Sequence, residues 1–266
     1  METPTRTAAA AHPGQGRLWP VSAPAALVIS LEPERSAAWT SSLRAAGLPV
    51  LACRPWGDSH GYQYLLHNPG ALAVLDLPGL APQPDGALAQ FVRAARLLAP
   101  VTVTVPADTD VVPLLEAGAQ NVVRRDEPPR VLAARLLADA RCAAAFQGPG
   151  PYPVRTSENR SRPDCPCAGT CACDGASGRL FFRSQDVLLE LLCRTTRPVC
   201  CHDLRCLLGS ATRPMSLPAL RGRLDRLTPH LTSRRREFSR HHAWGMDTFT
   251  VRPNAAGPQA DSLAAC

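Results

Sequence analysis

The feature that most constrains the fold is a regular alternation of short apolar runs and helix-like segments across residues 24–146. The runs AALVIS, ALAVL and VTVTV contain no charged residue, which is typical of parallel strands buried on both faces. The predicted strands are Ala25–Ser30, Pro49–Cys53, Ala71–Leu75, Val101–Val105 and Asn121–Val123. The predicted helices are Ser36–Ala46, Ala87–Leu98, Val111–Glu116 and Pro129–Ala145. Because strands alternate with helices, we predict a flavodoxin-like, doubly wound α/β domain with a parallel sheet.

Composition divides the rest of the chain. Residues 1–23 are rich in Ala, Pro and Gly, and they are predicted to form a disordered arm. Residues 147–178 are rich in Pro, Gly, Ser and Arg and lack hydrophobic periodicity, so we predict an interdomain linker. Residues 253–266 are predicted to form a loose tail. The chain therefore has two predicted folded domains, at 24–146 and 179–252.

Helical periodicity dominates the second domain. Ser184 is predicted to cap a helix at Gln185–Cys193, and Asp203–Leu208 is predicted to form a short second helix. Ser216 is predicted to cap a third helix, Leu217–Leu231, whose leucines recur along one stripe. The polar segment 234–242 then leads into a strand at Asp247–Val251. Three helices and a terminal β-ribbon predict a C-terminal winged helix-turn-helix domain.

The formal net charge of +7 lies entirely in the C-terminal half of the chain. Residues 1–150 hold twelve Arg and twelve acidic residues, whereas residues 151–266 hold seventeen Arg and ten acidic residues. Nine arginines lie between Arg205 and Arg240, a segment that we call the basic block, and only Asp225 and Glu237 oppose them. Phosphate contacts supply much of the affinity for nucleic acids, so the basic block predicts double-stranded DNA as a partner.

The predicted DNA contacts lie on the third helix, just before it, and on the ribbon. Arginines on the helix are able to donate two hydrogen bonds to guanine, and those on the ribbon would contact the backbone or the minor groove. The predicted DNA-binding residues are Arg213, Ser216, Arg221, Arg223, Arg226, Arg234, Arg235, Arg236, Arg240 and His241. The alternative is a solvated basic surface without a partner.

Three segments resemble the winged-helix response regulators of the OmpR/PhoB class. SQDVLLELLCRTTRPVC (Ser184–Cys200) resembles the first helix of that family, LPALRGRLDRL (Leu217–Leu227) its recognition helix, and WGMDTFTV (Trp244–Val251) its closing hairpin. The strand order of residues 24–146 is similar to that of the family's receiver domain. The resemblance implies a transcription regulator of a two-component system that binds DNA as a homodimer. The sequence departs from the family near Asp247–Phe249, where a glycine–tyrosine pair is usual.

The resemblance also implies a phosphorelay site at which several parts are missing. Asp76, in AVLDLPG, matches the phosphoacceptor aspartate. The positions of the Mg²⁺-binding acidic pair carry Ser30 and Leu31, near Glu32 and Glu34. The position of the switch hydroxyl carries Val105, beside Thr104, and the lysine position carries Arg125. Mg²⁺ prefers several hard oxygen ligands. We therefore predict a degenerate receiver domain and a regulator that acts independently of phosphorylation, with a sensor kinase left open.

Four cysteines lie close together in the predicted linker. Cys165, Cys167, Cys171 and Cys173 form the pattern C-x-C-x₃-C-x-C. Such thiolates can bind Zn²⁺ or Cu(I), or form disulfides under oxidation. No other cofactor is expected. One alternative function is therefore a metal- or redox-responsive regulator, and the other interpretation of these residues is a cysteine-rich linker without a ligand.

Several functional classes lack support in the sequence. No apolar run approaches the ~20 residues that span a bilayer, and Met1–Pro20 lacks the pattern of a signal peptide, so a cytoplasmic protein is predicted. No nucleophile–base set, phosphate-binding loop or metal-hydrolase motif occurs, so no enzymatic activity is predicted. A remaining alternative is an interaction adaptor whose C-terminal domain does not bind DNA.

Overall fold

In a computed structural model of the chain, the structure describes residues 26–48, 50–68, 70–77, 86–145, 183–195, 197–243 and 245–254. The predicted arm at 1–23 and the predicted linker at 147–178 lie outside the described residues, as does the predicted tail beyond Asn254. None of the described helices is long and apolar enough to cross a membrane.

Residues 26–145, here called the N-terminal unit, form a parallel sheet with helices on both faces. The strands are β1 (Ala26–Ser30), β2 (Val50–Pro55), β3 (Ala73–Asp76), β4 (Val101–Val105) and β5 (Asn121–Arg124). Their order in the sheet is β2-β1-β3-β4-β5, and every neighbouring pair is parallel. This is the flavodoxin-like order, so the predicted fold of this domain is confirmed.

The helices of the N-terminal unit are α1 (Pro33–Ala45), α2 (Ser59–His67), α3 (Ala87–Ala95), α4 (Val112–Glu116) and α5 (Pro129–Ala145). Helix α2 was not predicted from the sequence. The Asp58 carboxylate caps this helix by accepting a hydrogen bond from the Gly61 amide at 3.1 Å. Tyr62, Leu65 and Leu66 form its buried face at helical spacing.

Two apolar cores lie on opposite faces of the parallel sheet. Leu27 and Ile29 of β1 belong to the core under α2, α3 and α4, whereas Ala26 and Val28 belong to the core under α1 and α5. Both faces of β1 are therefore buried, which explains its uninterrupted apolar sequence.

Residues 183–254, here called the C-terminal unit, contain three helices and an antiparallel sheet. The elements are α6 (Arg183–Arg194), β6 (Val199–Cys200), α7 (Cys201–Leu207), α8 (Leu217–Ser233), β7 (Arg236–Ala243) and β8 (Met246–Pro253). The strand order is β6-β8-β7, so β7 and β8 form a hairpin and β6 extends its sheet. Ser216 caps α8 as predicted, because its Oγ accepts a hydrogen bond from the Ala219 amide at 3.3 Å.

Three details of the C-terminal unit differ from the sequence predictions. α6 begins at Arg183, so Ser184 lies inside the first turn and does not cap the helix. The polar segment 234–242 was predicted as a connection, but most of it forms β7. The two-residue strand β6 was not predicted, because so short a segment carries no recognisable period.

The two units share one apolar core. The core under α2 and α3 continues into α6 and α7 through residues such as Leu188 and Leu204. At its centre, the Trp56 indole N–H donates a hydrogen bond to the Cys206 carbonyl oxygen at 2.9 Å. The Trp56 ring also meets Tyr62 and Phe91 edge-on, with ring centroids 5.9 and 4.9 Å apart. Buried apolar surface therefore fixes the units against each other.

Polar contacts surround this shared core. The Gln90 side chain donates to the His202 carbonyl oxygen at 3.1 Å, and the Arg93 guanidinium lies 3.6 Å from the Asp203 carboxylate. Burial raises the pKa of Asp203 above its usual range, although Arg93 acts in the opposite direction. Burial also raises the pKa of the Cys206 thiol to about 12. The Cys206 thiol therefore stays protonated at neutral pH and serves as an apolar packing group.

Candidate functional site

Asp76 is fully buried at the carboxyl edge of the parallel sheet, and its carboxylate is already occupied. The Ser36 hydroxyl donates to Asp76 Oδ2, and the Thr104 hydroxyl donates to Asp76 Oδ1 at 2.7 Å. The Arg125 guanidinium forms an ion pair with Asp76 Oδ1. Both carboxylate oxygens thus have partners within the protein.

The residues around Asp76 do not fit a bound Mg²⁺. The positions of the acidic pair carry the Ser30 hydroxyl, which lies 2.6 Å from Ser36 Oγ, and the apolar Leu31. Glu32 forms an ion pair with Arg35 at 2.8 Å. A divalent cation at Asp76 would therefore meet one carboxylate that already binds a guanidinium.

Some of these partners of Asp76 were predictable from the sequence, and one was not. Arg125 was assigned to the lysine position, and the structure places it on Asp76. The switch hydroxyl was placed near Val105, whereas Thr104 makes the hydrogen bond, because alternate residues of β4 face opposite sides of the sheet. Ser36 was predicted only as the start of a helix, and its contact across 40 residues has no signal in the sequence.

The three predicted DNA-binding arginines of α8, Arg221, Arg223 and Arg226, lie in different surroundings. Arg226 is exposed on the side away from the buried leucine stripe. Arg221 instead donates to Asp247 Oδ2 at 3.0 Å, and Arg223 donates to Ser184 Oγ of α6 at 2.8 Å. Burial lowers the pKa of Arg223, and the nearby Arg226 charge adds to this effect. The hydrogen bond to Ser184 holds the Arg223 side chain toward α6.

The end of α8 carries two further exposed arginines, Arg234 and Arg235. Arg235 adopts a φ of 55°, and among the described residues it is the one non-glycine with a positive φ. Its amide donates to the Thr232 carbonyl oxygen at 2.9 Å, which ends the helix in a left-handed turn. A left-handed backbone costs a residue with a Cβ atom roughly 1–2 kcal/mol. Glycine would be the favoured residue at this position.

The remaining predicted DNA-binding residues lie around α8 and along β7. Arg213 is exposed in the loop before α8, where Ser216 caps the helix. On β7, Arg236 is half-buried, whereas Arg240 and His241 are exposed. The predicted residues thus lie along one continuous stretch of chain: the loop and cap before α8, the helix itself, its C-terminal turn and strand β7.

Asp247, which the sequence analysis did not single out, lies between α8 and the hairpin. Its side chain is buried at 2% exposure and has three basic neighbours. Arg221 and Arg240 donate to its carboxylate at 3.0 Å, and His242 Nδ1 lies 2.8 Å from Oδ1. The hydrogen bonds with His242 and Arg221 hold the pKa of Asp247 well below its usual range. Its sequence neighbourhood, a short strand, gave no sign of these contacts.

Other sites find no support in the described residues. Within the ranges that the structure describes, no group of three His, Cys, Asp or Glu side chains is placed to hold a metal ion. Cys165, Cys167, Cys171 and Cys173 lie outside these ranges. Metal binding by the four linker cysteines therefore stays a prediction.

The C-terminal unit uses different surfaces for docking and for its basic side chains. α6 and α7 pack against α2 and α3 of the N-terminal unit. The outer face of α8 and most of β7 stay exposed in this docked arrangement.

Comparison with known proteins finds distant likenesses among solved structures. No protein-family model matches the chain, and no curated protein sequence matches it. The receiver domain of the response regulator NarL from Mycobacterium tuberculosis is similar at 24% identity, covers 46% of this chain and 98% of its own, and has a TM-score of 0.32. The response regulator ChrA of a heme-sensing two-component system is 19% identical, with 79% of this chain and 90% of its own covered, and a TM-score of 0.34.

A pilus assembly-related protein from Burkholderia pseudomallei is also similar, at 18% identity over 44% of this chain and 88% of its own, with a TM-score of 0.34. These likenesses are too distant to carry a function. What the structure itself shows of the N-terminal unit is its flavodoxin-like strand order, β2-β1-β3-β4-β5.

Proposed function

We propose that the chain is a sequence-specific DNA-binding transcription regulator of the response-regulator type. The observation that carries this proposal is the exposure of Arg226 on α8 and of Arg240 and His241 on β7 while α6 and α7 are docked on the N-terminal unit. The order α6, α7, α8 and hairpin suits a winged helix-turn-helix. In that motif the last helix enters the major groove and the hairpin contacts the flanking backbone.

The exposed arginines receive different roles in this proposal. Arg226, on the outer face of α8, contacts bases in the major groove, where an arginine can donate two hydrogen bonds to guanine. Arg234 and Arg235 contact phosphates where the helix ends. The left-handed backbone of Arg235 supports this role, because an arginine stands where glycine would cost less.

The N-terminal unit acts in this proposal as a docking domain that needs no phosphorylation. Two features support this: the full burial of Asp76, and the partners that both of its carboxylate oxygens already have. An incoming phosphoryl group would have to displace Ser36, Thr104 and Arg125 without help from Mg²⁺. A kinase is therefore not required for DNA binding.

The protein is further proposed to act as a homodimer. Val112 and Leu115 of α4 and Val131 of α5 are apolar side chains with exposures of 54, 46 and 43%. Burial of such side chains between two copies would be favourable. Leu115→Asp should then yield a monomer in sedimentation analysis, whereas Leu51→Asp, on the opposite edge of the sheet, should leave the dimer intact. A monomeric wild-type protein would contradict this part of the proposal.

The test of the function is selection of genomic DNA fragments by the purified, full-length protein. The expected result is enrichment of a common sequence, which is lost with Arg226→Ala. A gel shift against random duplexes at low salt separates the alternatives, because an interaction adaptor would bind none of them. Metal analysis of protein purified without oxygen tests the regulator that senses through its linker cysteines. Absence of bound metal and of any thiol-dependent change in DNA affinity would exclude that sensor.

A further inference from the structure

The junction between α8 and the β7–β8 hairpin contains an unusual concentration of cationic groups around one acid. In the hairpin, His242 and Asp247 stand directly opposite each other. Arg240 reaches Asp247 from the same strand as His242, with distances of 3.0 Å to Oδ1 and 2.9 Å to Oδ2. Arg221 reaches Asp247 from α8, so the carboxylate ties the helix to the hairpin.

The acid and its partners differ sharply in exposure. The Asp247 side chain is 2% exposed, whereas Arg221 and Arg240 are each 41% exposed and His242 is 62% exposed. Two guanidinium groups share one carboxylate, so the cluster keeps a net positive charge. Each guanidinium has five N–H donors in a fixed fork, and Arg221 and Arg240 each use an Nη2 donor on Asp247. Arg221 Nε is buried, so the donors left for a second, external anion on Arg221 are those of its terminal nitrogens.

We propose that Arg221, Arg240 and His242 form a preorganised clamp for a backbone phosphate of duplex DNA, with Asp247 as its positioning residue. This inference rests on the proposed DNA-binding function and deepens it. An arginine side chain loses conformational freedom when it binds a phosphate, and that loss weakens binding. Asp247 restricts Arg221 and Arg240 before DNA arrives. The clamp also fixes the angle between α8 and the hairpin, which have to fit one duplex together.

The sign of one substitution separates this role from simple electrostatics. Asp247→Asn removes a negative charge from a basic surface, and charge alone predicts tighter binding to DNA. A positioning role predicts the opposite, namely about tenfold weaker binding, because two arginines become mobile. Asp225→Asn is the matched control, because Asp225 lies exposed on α8 and its substitution also removes one negative charge. It should bind DNA as tightly as the wild type or more tightly.

The measurement is fluorescence anisotropy with a labelled duplex over a series of salt concentrations, using the full chain. In the wild type, Arg221→Gln and Arg240→Gln should each reduce the slope of log affinity against log salt by about one. When Asp247→Asn is already present, each arginine substitution should reduce this slope by less than it does in the wild type. Thermal unfolding checks that each variant is folded. If Asp247→Asn does not fold, the two arginine variants still test the clamp. Additive losses of DNA affinity in the double variant Arg221→Gln/Arg240→Gln would show that the two arginines act independently, which would overturn the clamp.

The outcomes distinguish the clamp from the function on which it rests. A wild-type protein that binds no duplex at low salt refutes the proposed function and the clamp together. A wild-type protein that binds DNA, with Asp247→Asn binding equally well or better, overturns the clamp and leaves the function standing. Weaker binding by Asp247→Asn together with unchanged or tighter binding by Asp225→Asn supports it.

Discussion

Truncation of Trp56 tests whether the two units are held together by a shared core. The Trp56 side chain is 6% exposed, packs against two aromatic rings and donates a hydrogen bond across the interface to Cys206. Removal of a buried tryptophan costs about 3–5 kcal/mol of unfolding free energy, and the lost hydrogen bond contributes about 1 kcal/mol of that loss. We therefore expect Trp56→Ala to lower the unfolding free energy by about 4 kcal/mol.

The assay is denaturant unfolding followed by circular dichroism, together with hydrogen exchange of the amides in α6 and α7. Trp39→Ala is the matched control, because Trp39 is partly buried on the opposite face of the sheet, against the core under α1 and α5. Trp56→Ala should accelerate exchange in α6 and α7, whereas Trp39→Ala should leave that exchange unchanged. A loss below about 0.5 kcal/mol for Trp56→Ala, a range typical of surface positions, would refute the shared core.

Three further predictions follow from single groups. Burial raises the pKa of Asp203, so its ionisation at pH 7 favours the unfolded chain. Asp203→Asn should therefore raise the unfolding free energy at pH 7, and this gain should vanish below the ordinary aspartate pKa of about 3.9. An equal gain at both pH values would contradict this cause. Arg235→Gly should stabilise the fold by about 1 kcal/mol in thermal unfolding, because glycine relieves the strain of the left-handed backbone. It should also weaken DNA binding, because it removes a proposed phosphate contact. A destabilised variant would count against the backbone strain. Acetyl phosphate should label neither the wild type nor Asp76→Asn, and labelling of the wild type alone would show that Asp76 is accessible.

The elements that sequence reasoning predicted are those with a strong local signal. β1 and β4 are uninterrupted apolar runs, and α8 combines a capping serine with a leucine stripe, so both types of element were found nearly in place. α2 was missed because it is short and its apolar residues fall on little more than one turn. The approach of Trp56 to Cys206 joins residues 150 positions apart and depends on how two folded units pack.

The sequence predicted where the charge of the candidate site lies, but not which contacts its side chains make. The basic block located the arginines, because net charge is a property of composition. It could not show that Arg221 turns toward Asp247 and Arg223 toward Ser184, since these contacts depend on the packing of α8 against the hairpin and α6. Similarly, Asp76 was identified from its place after an apolar run, but its enclosure by Ser36 and Thr104 arises from tertiary structure.

The most direct test of the central claim is a salt titration of duplex binding by the full-length protein. Arg226→Ala and Arg235→Ala are compared with the wild type on a selected sequence and on a random duplex. We expect Arg226→Ala to lose the preference for the selected sequence by about 1–3 kcal/mol. We expect Arg235→Ala to weaken binding to both duplexes alike and to reduce the salt slope by about one. Absence of binding to any duplex at low salt, or unchanged binding by both variants, would contradict the assignment of α8 and the hairpin as a DNA-binding surface.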